Sequence, residues 1–187
     1  MTAAQSNRLL AAAALFVAGL STVLITDHLA AEGTVSPIDW DAAKLEAQSP
    51  SSERLSALVK LSEADQDRIG LPVLLPNRED LAGKTLVAPL DDLYTATFKE
   101  GAATVSITGS KLISGTPSLP LGAPRGDRIS RTDTGLDLSF SRFGAAYLIS
   151  IECPNPDRDP QCASDDYATA LKNSLAVVTP RDGGAAP

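Results

Sequence analysis

The sequence has one histidine, His28, and it stands beside the long apolar run near the N-terminus rather than in the body of the chain. No histidine-based triad, dyad or zinc site can be built from the remaining residues, which removes a large share of hydrolase chemistry. Cysteine is nearly as scarce. Cys153 and Cys162 are the only two, and their spacing fits neither a C-x-x-C redox motif nor the short paired spacings of zinc sites. There is no S-x-x-K spacing for a lysine-activated serine; Ser56 and Lys60, four apart, are the nearest approximation and read as solvated surface. Glycine-rich phosphate loops are missing too, since Gly109 and Gly115 around Ser110 and Lys111 match neither nucleotide fingerprint. Nor is there an excess of basic charge. The formal net charge is −7, and a domain this acidic lacks the basic face that phosphate neutralisation needs, so no nucleic-acid partner is expected.

What the chain does have is an uncharged run from Leu9 to Thr26, preceded by Arg8 and closed by Asp27. Its length is close to the roughly 20 residues that carry a helix across a hydrocarbon layer. Apolar residues fill every face of it, which argues against a helix lying half-buried on a domain. A cleavable secretory signal is the alternative, but its apolar core is usually shorter, and the small residues Ala30 and Ala31 follow Asp27 and His28 in a poor match to a cleavage site. The expectation is a signal-anchor helix over 9–26, with residues 1–8 in the cytoplasm by the charge bias of Arg8. This places a single-pass protein in a bacterial inner membrane with its C-terminal domain in the periplasm. The alternative is release into the periplasm after cleavage.

An even pair of cysteines in an exported domain suits a structural disulfide, Cys153–Cys162. Residues 27–50 read as a linker, with a short helix from Asp39 to Ala47 as an option inside it, and residues 51–179 as one α+β domain followed by a flexible tail, 180–187. Within the domain, a helix is expected from Ser51 or Ser52 to about Ile69, or two shorter ones, because Ser62 with Asp65 three residues on is a second capping signal. Leu71 to Pro76 reads as an edge strand bounded by prolines.

Tyr94, Ala96 and Phe98 alternate with Thr95, Thr97 and Lys99, and Ala103, Val105 and Ile107 alternate with Thr104, Ser106 and Thr108. This is a hairpin with one apolar and one wet face. A second hairpin joins Leu136, Leu138 and Phe140 to Tyr147, Ile149, Ile151 and Cys153. Between the hairpins, Ser114 to Thr134 reads as a long loop. A last helix is expected from Asp166 to about Val177. The fold expected is a small antiparallel sheet of about five strands, one face packed by the C-terminal and early helices.

Two sets of polar residues bear on function. Arg125, Arg128, Arg131 and Arg142 form a basic group in an acidic chain, suited to an anionic partner such as a phosphate, a lipid head group or a cell-wall carboxylate. The triplet Arg125-Gly126-Asp127 is too short a motif to carry weight. Asn155, Asp157, Asp159 and Asp166 fall at the first, third, fifth and twelfth positions of a calcium-loop pattern. Against it, Pro160 occupies the position where the loop needs glycine, and Asp166 stands for the long glutamate. No catalytic residue and no cofactor are assigned. The expected function is a non-catalytic accessory or interaction module of the cell envelope, with a calcium-dependent or carboxylate-based envelope enzyme as the alternative.

Overall fold

The computed structural model describes residues 34–111, 113–114 and 126–178. The expected membrane segment 9–26, Arg125 and the tail 180–187 lie outside the described residues. Among the described residues, no helix is long and apolar enough to cross a membrane.

The elements run β1 (Thr34–Val35), α1 (Trp40–Ala47), α2 (Pro50–Leu58), α3 (Glu63–Ile69), β2 (Val73–Pro76), α4 (Glu79–Ala82), β3 (Leu86–Leu90), β4 (Leu93–Glu100) and β5 (Ala103–Lys111). They continue through β6 (Ile113–Ser114), β7 (Arg128–Thr132), β8 (Gly135–Arg142), β9 (Ala145–Glu152), α5 (Pro160–Ala163), α6 (Asp166–Ser174) and β10 (Leu175–Val178). The fold is mixed α+β, built on a six-stranded antiparallel sheet in the order β3-β4-β5-β9-β8-β7, with β2 and β10 forming a separate two-stranded ribbon.

The sheet follows from the strict alternation of its strands. Ala103, Val105 and Ile107 are buried on one face of β5, while Thr104, Ser106 and Thr108 on the other face are half-buried. Register is pinned at the β8–β9 hairpin by a two-residue turn in which Phe143 and Gly144 both have positive φ, 53° and 76°. That pair of values is the I′ geometry whose twist matches the strands. Gly144 is also where the N-terminal segment docks, since a Cβ there would lie 2.1 Å from the Pro37 carbonyl oxygen. The Asp39 N–H donates to the Phe143 carbonyl at 3.0 Å beside it.

Helices α2 and α3 begin at hydroxyl caps. Ser49 accepts from the Ser52 N–H at 3.2 Å, and Ser62 and Asp65 form a reciprocal capping box. The Ser62 hydroxyl, donating to Asp65 at 2.6 Å, holds that carboxyl below its ordinary range. Residues 59–62 are not helical and separate α2 from α3, so the two-helix alternative is the one formed. In the stretch expected to be linker, α1 packs against β10 and buries Ala43, so the packed domain already includes this helix.

The ribbon is the interior of the protein. All four residues of β2 and all four of β10 are buried, with Leu175 to Val178 paired to Pro76 to Val73. One side of it meets the sheet through β5 and also touches α6, while α1 and α2 pack on β10. Helices α1 and α2 therefore cover the ribbon, while α3 packs on β3 and β4 of the sheet, and the domain has three layers where two were expected. Burial of β2 raises a specific problem. A strand with a single partner has unpaired backbone groups on its other edge, and in the core these cost free energy. The Tyr94 hydroxyl resolves it by accepting from the Leu74 N–H at 2.8 Å and facing the Leu74 carbonyl at 3.3 Å, while the Tyr147 hydroxyl donates to the Pro72 carbonyl at 2.9 Å.

Both tyrosines come from one row across the sheet, Tyr94–Gly109–Tyr147–Phe140. Gly109 is the gap that seats them. A Cβ at this position would lie 2.4 Å from the Tyr94 ring and 3.0 Å from the Tyr147 ring. Phe140 stacks on Tyr147 at 5.3 Å between centroids.

Three expectations are corrected. The C-terminal helix stops at Ser174, and Leu175 to Val178 form β10 instead of its last turn, because two consecutive valines pair well with the buried β2. The main sheet has six strands rather than about five. Residues 128–132, read as loop, form the edge strand β7, whose one apolar residue, Ile129, leaves no alternation to read.

Two outcomes follow from the tyrosine row. Gly109→Ala is expected to lower unfolding free energy by about 1–3 kcal/mol, the usual cost of overpacking, measured by denaturant unfolding. Burial raises the pKa of the Tyr94 and Tyr147 hydroxyls above the ordinary 10.0, so the folded state keeps protons that the unfolded chain releases. Their contribution is complete below about pH 10 and is lost as pH rises beyond it. Tyr94→Phe should cost about 1–3 kcal/mol at neutral pH by orphaning the Leu74 N–H, and should flatten the alkaline fall in stability. A wild-type alkaline slope retained in Tyr94→Phe and Tyr147→Phe together would contradict this assignment.

Candidate functional site

Every element that packs on the six-stranded sheet's apolar face leaves its other face open among the described residues. The open face is built by the same period of two that fills the core. Register places Leu86, Thr97, Ser106, Ser150, Asp137 and Ser130 in one row across all six strands. The next row is Ala88, Thr95, Thr108, Leu148, Ser139 and Arg128.

The centre of this face is hydroxyl-rich, with Asp137 of β8 its one carboxylate away from the strand ends, and its side chains engage one another across strands. Thr95 and Thr108 share a hydrogen bond at 3.1 Å, and Thr97 and Ser106 another at 3.2 Å. The Ser150 hydroxyl donates to Asp137 at 2.5 Å. Such pairs order the surface while each hydroxyl retains further bonding capacity, since it offers one donor and two acceptor positions. The other charges on it stand at the rim, with Arg128 beside β8 and Lys99 and Glu152 at the far end of the strands. At the β3 corner, Leu86 is 77 % exposed and Leu90 48 %. No aromatic ring of the described residues lies on this face, so stacking on a sugar or base has no support here.

The four arginines are not brought together. Arg125 lies outside the described residues. Arg128 stands on the open face, exposed, and no described side chain pairs with it. Arg131, three residues on, projects from the opposite face of β7, where it donates to the Cys162 carbonyl and pairs with Asp165. Arg142 is half-buried, donating to the Leu175 carbonyl at 3.1 Å and to Glu46 at 2.5 Å, and lies 5.0 Å over the Phe143 ring. Arg131 thus pins the α5–α6 corner to β7, and Arg142 ties α1 and β10 to the β8–β9 hairpin. Of the basic group, Arg128 is the described member that remains available to a partner. Asp127 is itself paired with Lys172, which also lies 5.8 Å over the Phe140 ring.

Nor are the calcium-loop residues gathered. The Asn155 N–H donates to Asp159 at 2.9 Å, closing a turn on itself, and Asp166 accepts from the Ser164 hydroxyl at 3.1 Å at the start of α6. Among the described residues, no group of three or more His, Cys, Asp or Glu side chains is placed to hold a metal ion. Cys153 and Cys162 are joined as a disulfide, with Cα atoms 6.4 Å apart, so this loop is organised by its covalent bridge. Ser56 and Lys60 do not share a helix face, since α2 ends at Leu58.

One cluster gave no sequence signal. Glu100 accepts from the Tyr167 hydroxyl at 2.5 Å and pairs with Arg78, which also holds Asp80 at 2.8 Å. Burial, with Glu100 beside it, raises the Tyr167 pKa, and the two carboxylates raise that of Arg78. The network joins α4, β4 and α6 and presents no nucleophile. No family model, curated protein or solved structure matches this chain.

Proposed function

We propose that this chain is a non-catalytic interaction module of the bacterial envelope, tethered to the inner membrane by residues 9–26 and presenting its domain in the periplasm to a protein partner. The observation that carries this reading is the open, hydroxyl-lined face of the six-stranded sheet, whose opposite face is closed by the ribbon and helices. A face with both hydrogen-bonding and small apolar groups, hydroxyl-rich at its centre with most of its charge at the rim, has the composition of a polar protein contact surface. The disulfide supports an oxidising compartment. The carboxylate-based or calcium-dependent enzyme is the weaker reading, because Asp157, Asp159 and Asp166 are not convergent.

Two measurements test the two halves of the proposal. Intact mass of the protein from its native membrane fraction should be that of the full chain, with both cysteines refractory to alkylation until reduced. A mass lacking about the first 30 residues would replace the anchor with a cleaved signal, and cysteines that alkylate without reduction would remove the argument for export. A photo-crosslinking amino acid at Thr108, on the open face, should give a discrete adduct in native membranes, whereas one at exposed Lys60 should not. Failure at Thr108, or equal labelling at both positions, would overturn the role of the face.

A further inference from the structure

We infer that the free edge of β7 accepts an added strand from the partner, and that this strand is an extended, acidic segment. The inference rests on the interaction-module reading and names the chemistry of its partner.

Backbone phase gives the first argument. The I′ turn at Phe143–Gly144 makes Arg142 and Ala145 a hydrogen-bonded pair, and in an antiparallel ladder such pairs alternate with unbonded ones. Even-numbered residues of β8 therefore turn their peptide groups to β9, and odd-numbered ones turn theirs to β7. Gly135, Asp137 and Ser139 face Thr132, Ser130 and Arg128 in this way. What remains on β7 is the outward set, the N–H and C=O of Ile129 and of Arg131. Among the described residues β7 has no second neighbour, so two donors and two acceptors stand at strand spacing along one line.

Carrying the same alternation across β9, β5 and β4 gives the phase of the other edge, β3. There the outward residues are Val87 and Pro89. Proline has no N–H, so β3 offers one donor where β7 offers two. The two edges differ in kind: one is blunted against pairing and the other is not.

Charge supplies the second argument. Arg131 is neutralised by Asp165 on the core side of β7, but Arg128 projects to the open face unpaired among the described residues, in a protein of net charge −7. A strand laid beside β7 would bring alternate side chains onto that face, level with Arg128, Ser130 and Thr132. A carboxylate next to Arg128 and hydroxyl or amide groups further along would satisfy all three. Backbone pairing supplies affinity in this mode of recognition, and the alternate side chains supply selectivity.

The test is selection of a random-peptide phage library on the full-length chain in detergent micelles, followed by amide hydrogen exchange with the winning synthetic peptide. Enriched peptides should carry a carboxylate at one recurring position, hydroxyl or amide side chains at the alternate positions beyond it, and no proline between them. The peptide should slow exchange at Ile129 and Arg131 and leave Val87 unchanged, and Arg128→Glu should weaken its binding by at least about tenfold while Arg128→Lys retains most of it. No enrichment, enrichment without carboxylates, or protection at Val87 in place of β7 would overturn the inference. Those outcomes, combined with a positive crosslink from Thr108, would leave the module reading standing and remove the edge from it.

Discussion

The architecture depends on two phenolic hydroxyls. A two-stranded ribbon at the centre of a domain is an unusual load, because each strand has an edge with nothing to pair against. Tyr94 and Tyr147 reach up from the sheet and supply hydrogen bonds to Leu74 and Pro72 on the free edge of β2. Their rings contribute apolar area to the same interface, so one side chain serves both layers. The sheet can then hold the ribbon, and the ribbon can hold α1 and α2 on its other side.

That arrangement determines which face of the sheet remains open. With the ribbon, α6 and the helices committed to the apolar face, the threonines and serines opposite are left to solvent or a partner. The disulfide and the Arg131 contacts secure the α5–α6 corner at one end of the strands. Arg142 secures α1 and β10 at the other. The groups that look most reactive in the sequence, arginines and a disulfide, are mostly occupied in holding layers together.

Much of the sheet was legible because strand alternation is a local signal. Thr95, Thr97, Thr104, Ser106 and Thr108 announce a wet face by their spacing, and that face is the one left open. The capping box at Ser62 was legible for the same reason. What could not be read was non-local. Leu175 to Val178 continues the helical spacing of α6, and only its pairing with β2 makes it a strand. Residues 128–132 carry one apolar side chain, so β7 exists by virtue of its ladder to β8. The basic group failed as a cluster because a strand sends neighbours to opposite faces, which parts Arg128 from Arg131. Loop spacing alone places no carboxylate, and Asp159 turned inward to its own backbone at Asn155.

The pairing of Thr34–Val35 with Ile113–Ser114 has a mechanical side. This pair lies next to the continuation of β5, a central strand, and within a few residues Gly144 and Arg142 clamp the chain again. Tension arriving at Thr34 would be shared among β5, the β8–β9 hairpin and, through Arg142, the C-terminal strand. A pull from that end is thus distributed over the middle of the sheet, and the edge strands β3 and β7 carry none of it directly.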